Sequence, residues 1–207
     1  SQNFSMDDLR LYAILYQYLM MDAKKKALQL FQKGLDMGME NDPNTYHMIE
    51  RQRMLMLSQI GENQRNIDEQ TAKLKENPCD FYNHLNLLVA YVYAGDNKNA
   101  LNVFLEAEKK FANQSLLYAL GGDIYRELKM FEEAFECWNK SLSLDPEMVD
   151  SLWSKAFCYE ELGDYRTAYI VWEEIVEWLE SRGYEIEAQA PRELAEKCKS
   201  KMNAQIA

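Results

Sequence analysis

Residues that could do chemistry are few in this chain, and their spacing argues against catalysis. The two histidines, His47 and His84, fall in different predicted helix pairs, and their surroundings match no catalytic pattern. A lone helical histidine reads as an ordinary polar side chain. The four cysteines, Cys79, Cys137, Cys158 and Cys198, form no C-x-x-C pair, so zinc-site spacing is not met. They read as small core residues in a reducing, cytoplasmic setting. No H-E-x-x-H, G-x-S-x-G or Gly-rich phosphate loop occurs. Gly121-Gly122 lies within a predicted helix and reads as a packing device. Carboxylates abound, but adjacent ones such as Glu132-Glu133 and Glu173-Glu174 diverge by about 100° on a helix and cannot share a site. The expectation is a protein that is not an enzyme and holds no cofactor or metal.

Composition narrows the partners. The chain has 207 residues and a net charge of −11, with 34 acidic and 23 basic side chains. Such a surface repels phosphate backbones and anionic lipid, so neither nucleic acid nor membrane insertion is expected. Protein or peptide segments carrying apolar and basic residues fit it better. The opening SQNFSMDD lacks the basic start and apolar core of a signal peptide; an upstream signal or anchor is left open, as is oligomerisation. Eight glycines and four prolines over this length predict long helices with short connections. The eleven methionines fall mostly at apolar helical positions and read as core.

The strongest signal is self-similarity. Tyr125, Phe131, Ala134 and Trp138, moved 34 places on, meet Tyr159, Tyr165, Ala168 and Trp172. Moved 34 back, they meet Tyr91, Asn97, Ala100 and Phe104. A period of about 34 residues marks units of two helices and a turn that must stack to bury their open faces. The segment from Ser115 carries Tyr118, Gly122, Tyr125, Ala134, Trp138 and Pro146; only Gly121, where Leu is usual, departs further. The segment from Val149 carries Ala156, Tyr159, Gly163, Tyr165, Ala168 and Trp172. These residues resemble the tetratricopeptide repeat, W-x2-L-G-x2-Y…A-x3-F…P. The resemblance implies an all-α fold, a right-handed superhelical stack of antiparallel helix pairs.

One domain over 1–207 is therefore expected, with repeats at 81–112, 115–146 and 149–182. Residues 7–40 and 44–78 read as divergent pairs, the first broken near Asp22 into Leu9–Met21 and Ala23–Met37. In the second, Ile67, Thr71 and Leu74 should point inward. Gly183 should stop a long helix, and 191–205 should form a capping helix whose apolar stripe is Leu194, Ala195, Cys198 and Met202.

The resemblance also places a concave groove on the first helix of each repeat. Tyr82, Leu85, Asn86 and Val89 fall there, followed by Asp123 and Arg126, then Asp150, Trp153, Phe157 and Glu160. In this arrangement one end of the groove is apolar and the other acidic, with aromatic anchors at Tyr82, Trp153 and Phe157. Groove binding and plain core packing are both open for these residues. At function level the expectation is a protein-interaction adaptor or scaffold. A chaperone for a secreted or complex-bound client and a regulatory module of a larger protein are the alternatives.

Overall fold

The computed structural model describes the backbone of residues 6–36 and 43–206, with side chains over 20–36 and 46–204. These residues form ten helices and no strand: α1 Met6–Asp36, α2 Pro43–Gln59, α3 Asn63–Glu76, α4 Phe81–Tyr93, α5 Asn97–Glu108, α6 Ser115–Glu127, α7 Phe131–Leu144, α8 Val149–Glu161, α9 Tyr165–Glu180 and α10 Gln189–Ile206. Contacts divide the chain into two units, Ser1–Asp96 and Asn97–Ala207. The expected pair at 81–112 thus has its two helices in different units.

In the first unit, α1 corrects the sequence reading. A single 31-residue helix stands where a pair broken near Asp22 was expected. No glycine or proline interrupts the run before Gly34, and Asp22 pairs with Lys26 one turn on at 2.7 Å. Good helix formers with such a pair continue a helix rather than end it. Of the turn that Gly38 and Asn41-Asp42-Pro43-Asn44 suggest, Pro43 and Asn44 fall in α2 and the rest lies outside the described residues. Pro43 heads α2, where its missing N–H costs nothing. Gly61 turns the chain into α3 at φ +83°, and the Glu62 N–H donates to the Leu57 carbonyl.

The inward face of α3 is also not the expected one. Asn66 and Gln70 are fully buried, while Ile67, Thr71 and Leu74 are only half-buried. Cys79 is exposed, so it is not a core residue; the other three cysteines are buried.

The second unit, α5 to α10, follows the period closely. Ala100, Ala134 and Ala168 are all completely buried. Phe104, Trp138 and Trp172, four residues further on, are 1% exposed or less. Burying each such ring contributes on the order of 2–3 kcal/mol. The two glycines of α6 make room for them. A Cβ at Gly122 would lie 2.4 Å from the Trp138 Nε1, and one at Gly121 would lie 2.3 Å from the Phe104 ring. The departure at Gly121 thus has a cause: Phe104 occupies the volume a leucine side chain would need.

Helix ends repeat as well. The residue 34 places apart at each turn, Gly95, Lys129 and Gly163, is left-handed, with φ of 73°, 62° and 77°. At each, the next N–H reaches back along the closing helix: Asp96 to the Tyr91 carbonyl, Met130 to Tyr125, Asp164 to Tyr159. Asp80 and Asp164 cap the following helices by accepting from the Asn83 and Thr167 N–H groups, both at 3.1 Å.

At the far end, α10 starts at Gln189, two residues before Pro191. The first helical N–H groups have no intrahelical acceptor, so proline in the first turn is tolerated. Ala195 and Cys198 are fully buried, Leu194 and Met202 are half-buried, and the core beside them includes Val176 and Leu179 of α9. The expected apolar stripe is therefore turned into the unit.

Two stability outcomes follow. Gly122→Ala should lower unfolding free energy in urea by about 1–3 kcal/mol, because the buried Trp138 ring cannot retreat. Alanine's advantage in helix propensity, about 1 kcal/mol, only partly offsets this. Lys129→Gly should raise stability by about 1 kcal/mol, since a left-handed lysine is strained. The exposed Lys129–Glu161 ion pair lost with it contributes little.

Candidate functional site

The residues expected along a groove divide between the units. On α4, in the first unit, three of the four do not line an open surface, which corrects the sequence reading. Leu85 is completely buried, Val89 is 9% exposed and Asn86 is 2% exposed. The α4 face is covered by α3, its main packing partner, and by α2, which brings Glu50 inward to Asn86. The Asn86 amide donates to Glu50 Oε2 at 3.1 Å, and Gln70 donates to Glu50 Oε1 at 3.3 Å. Lys73 forms an ion pair with the same carboxylate. Three donors compensate a carboxylate only 2% exposed.

Tyr82 remains 37% exposed and stacks on the His47 ring at 3.7 Å between centroids. Burial pulls the His47 pKa below the usual histidine range, so its ring is a neutral stacking partner near pH 7. Glu50 and Arg53, polar residues one turn apart and in line with Met54 and Leu57 of α2, were the available sequence signal for this closure.

In the second unit, α6 and α8 lie side by side and carry the other six. Asp150 is exposed in the first turn of α8, where a negative charge suits the helix N-terminus. Phe157 is 42% exposed. Its ring meets the fully buried Trp172 edge-on at 4.9 Å, and Trp153 meets Trp172 in the same way at 4.9 Å. Trp153 is half-buried and belongs to the packing around Trp172 as much as to the surface.

Asp123 and Arg126 of α6 are half-buried. Burial raises the Asp123 carboxyl above the ordinary aspartate range, opposed by the Ser154 hydroxyl, the Arg126 guanidinium and the Trp138 indole. Glu160 is held within the unit: its Oε1 accepts from Trp172 Nε1 at 3.0 Å, and Lys201 of α10 lies 3.7 Å from Oε2. Beside it, burial and the Glu160 charge push the Cys198 thiol up to about 11, which keeps it an unreactive thiol at neutral pH.

The sequence-predicted residues that stay exposed or half-exposed in this unit are Phe157 and Asp150, two helical turns apart on α8, with Trp153 of α8 and Asp123 and Arg126 of α6. Aromatic and acidic side chains predominate among them. Among the described residues, no group of three or more His, Cys, Asp or Glu is placed to hold a metal ion. No helix among them is long and apolar enough to cross a membrane.

Residues 115–148 match the family model of the tetratricopeptide repeat. No curated protein is significantly similar to the chain in sequence. Among solved structures, TTC0263, a thermophilic tetratricopeptide protein of Thermus thermophilus, is similar with a TM-score of 0.63 and 20% identity, covering 94% of this chain and 96% of that one. MamA from Desulfovibrio magneticus RS-1, residues 41 to the end, is similar with a TM-score of 0.56 and 22% identity, covering 83% and 95%. The TPR2AB domain of yeast Sti1, solved as a complex with pHSP90, gives a TM-score of 0.53 at 15% identity, covering 86% and 80%. Residues 115–148 are a tetratricopeptide repeat, and the chain around them has the all-helical fold of tetratricopeptide repeat proteins.

Proposed function

We propose that this chain is a protein-interaction adaptor or scaffold that holds a peptide or protein segment on the α6–α8 face of its second unit. One observation supports this most: Phe157, a large aromatic side chain, stands 42% exposed on a rigid bed of buried tryptophan. Exposed aromatics backed by packed residues lose little entropy on binding and dominate affinity at interfaces. Asp150 and the partly buried Asp123 give the face a negative charge, so the segment that fits carries an apolar anchor flanked by lysine or arginine. That Sti1, a protein of the same fold, is found with pHSP90 bound supports a holding role.

Selection of binders from a random peptide library on the full chain tests the reading. The expected peptides share an apolar residue beside basic ones. Phe157→Ala should weaken them roughly tenfold or more and leave the melting temperature nearly unchanged. Trp153→Ala should lower the melting temperature, because that ring packs on Trp172. Acidic binders, or binders indifferent to Phe157→Ala, would overturn the assignment.

A further inference from the structure

A second feature of the same unit is an open pocket of about 280 Å³ formed by α5, α6 and α7. Phe104, Tyr118 and Tyr125 give it aromatic walls, and Glu108, Glu133 and Glu136 stand around it. Phe104 meets Tyr118 edge-on at 6.2 Å and Tyr125 edge-on at 5.9 Å. Tyr118 and Tyr125 are two helical turns apart and so share one stripe of α6. At about 100° per residue, Asp123 and Arg126 fall on another. The pocket is therefore separate from the face proposed above.

Its shape has a sequence cause. Gly121 lets the Phe104 ring sink onto α6, since a Cβ there would lie 2.3 Å from the ring. The usual leucine would collide with the ring in this position. Cys137, 9% exposed, borders the same pocket as a free thiol.

Carboxylates on a helix surface are ordinarily a solvated rim and imply no ligand. Here they surround a concave aromatic space, and none of the three is ion-paired among the described residues, although Lys140 also borders the pocket. Their field is felt inside it. Burial, followed by Glu108, Glu136 and Glu133, pushes the Cys137 thiol up to about 12. Burial, followed by Cys137 and the same carboxylates, raises the Tyr125 hydroxyl. An aromatic floor under converging negative charge favours a cation with an apolar stem.

We infer that the α5–α6–α7 pocket receives a lysine side chain of a partner protein segment, its ammonium against Glu108, Glu133 and Glu136 and its methylene stem against the half-buried Tyr125 ring, which is backed by the buried Phe104 and Tyr118 rings. Nuclear magnetic resonance titration of the full chain with N-acetyl-lysine methylamide tests it, with the uncharged N-acetyl-norleucine methylamide as comparison. The lysine derivative should shift the Tyr118 and Tyr125 ring signals saturably, and the norleucine derivative should not. The combined Glu108→Gln, Glu133→Gln and Glu136→Gln variant should bind it roughly tenfold more weakly with an unchanged fold. Phe157→Ala should leave this binding intact, which separates the outcome from that of the adaptor face. Equal shifts with norleucine, or none with lysine, would overturn the inference.

Discussion

The second unit depends on a close approach between helices, in which a flat aromatic ring lies against a residue with almost no side chain. Trp138 rests on Gly122, and Phe104 rests on Gly121. Neither ring can be accommodated if its glycine carries a Cβ, and neither glycine would be stable in a helix without the burial that the ring provides. The fully buried Ala100, Ala134 and Ala168 keep the neighbouring helices close at the same level. Because each pair has an apolar face left over, the constraint propagates from α5 to α10, where the stripe of Ala195 and Cys198 closes the series.

The first unit solves its packing differently. Its inner surface carries Glu50, Arg53, Asn66, Gln70 and Asn86, all buried, among Met54, Leu57, Leu85 and Leu88. Arg53 reaches Glu69, and Glu50 gathers Gln70, Lys73 and Asn86. Such an arrangement is worth little in net stability compared with apolar packing, but removing one member leaves an uncompensated buried charge. It fixes which faces of α2, α3 and α4 meet. The α4 face is thereby largely occupied by the chain itself, Tyr82 excepted.

The pattern of charge gives the two candidate surfaces of the second unit a common character. Asp150 lies two helical turns from Phe157 on α8, and Glu108, Glu133 and Glu136 border the aromatic pocket of α5, α6 and α7. In each case the acids are exposed or half-buried and the rings are fixed from behind. Ring and charge are therefore organised before any partner arrives, which lowers the ordering cost of binding.

Sequence alone determined the helical class, the 34-residue period and the glycine turns at Gly95 and Gly163, though not the α6–α7 turn, whose left-handed residue is Lys129. Those features are set by local chemistry: small residues where helices touch, glycine where φ is positive, aspartate where a helix begins. Even the break between α2 and α3 and the apolar stripe of α10 were readable in this way. Tertiary structure decided the rest. The continuity of α1 across Asp22 is an exception, being local: it rests on an i,i+4 pair and the absence of a breaker, which a period search does not weigh. The burial of Leu85, Asn86 and Val89 follows from α3 and α2 packing on α4, with Glu50 of α2 meeting Asn86, 36 residues away in the chain. Whether Trp153 and Phe157 were core or surface was equally undetermined, because residues four apart on one helix face differ in exposure only once Trp172 packs beneath them. Periodicity specifies which residue types can nest; the long-range partners that cover or expose each one are specified only when the helices come together.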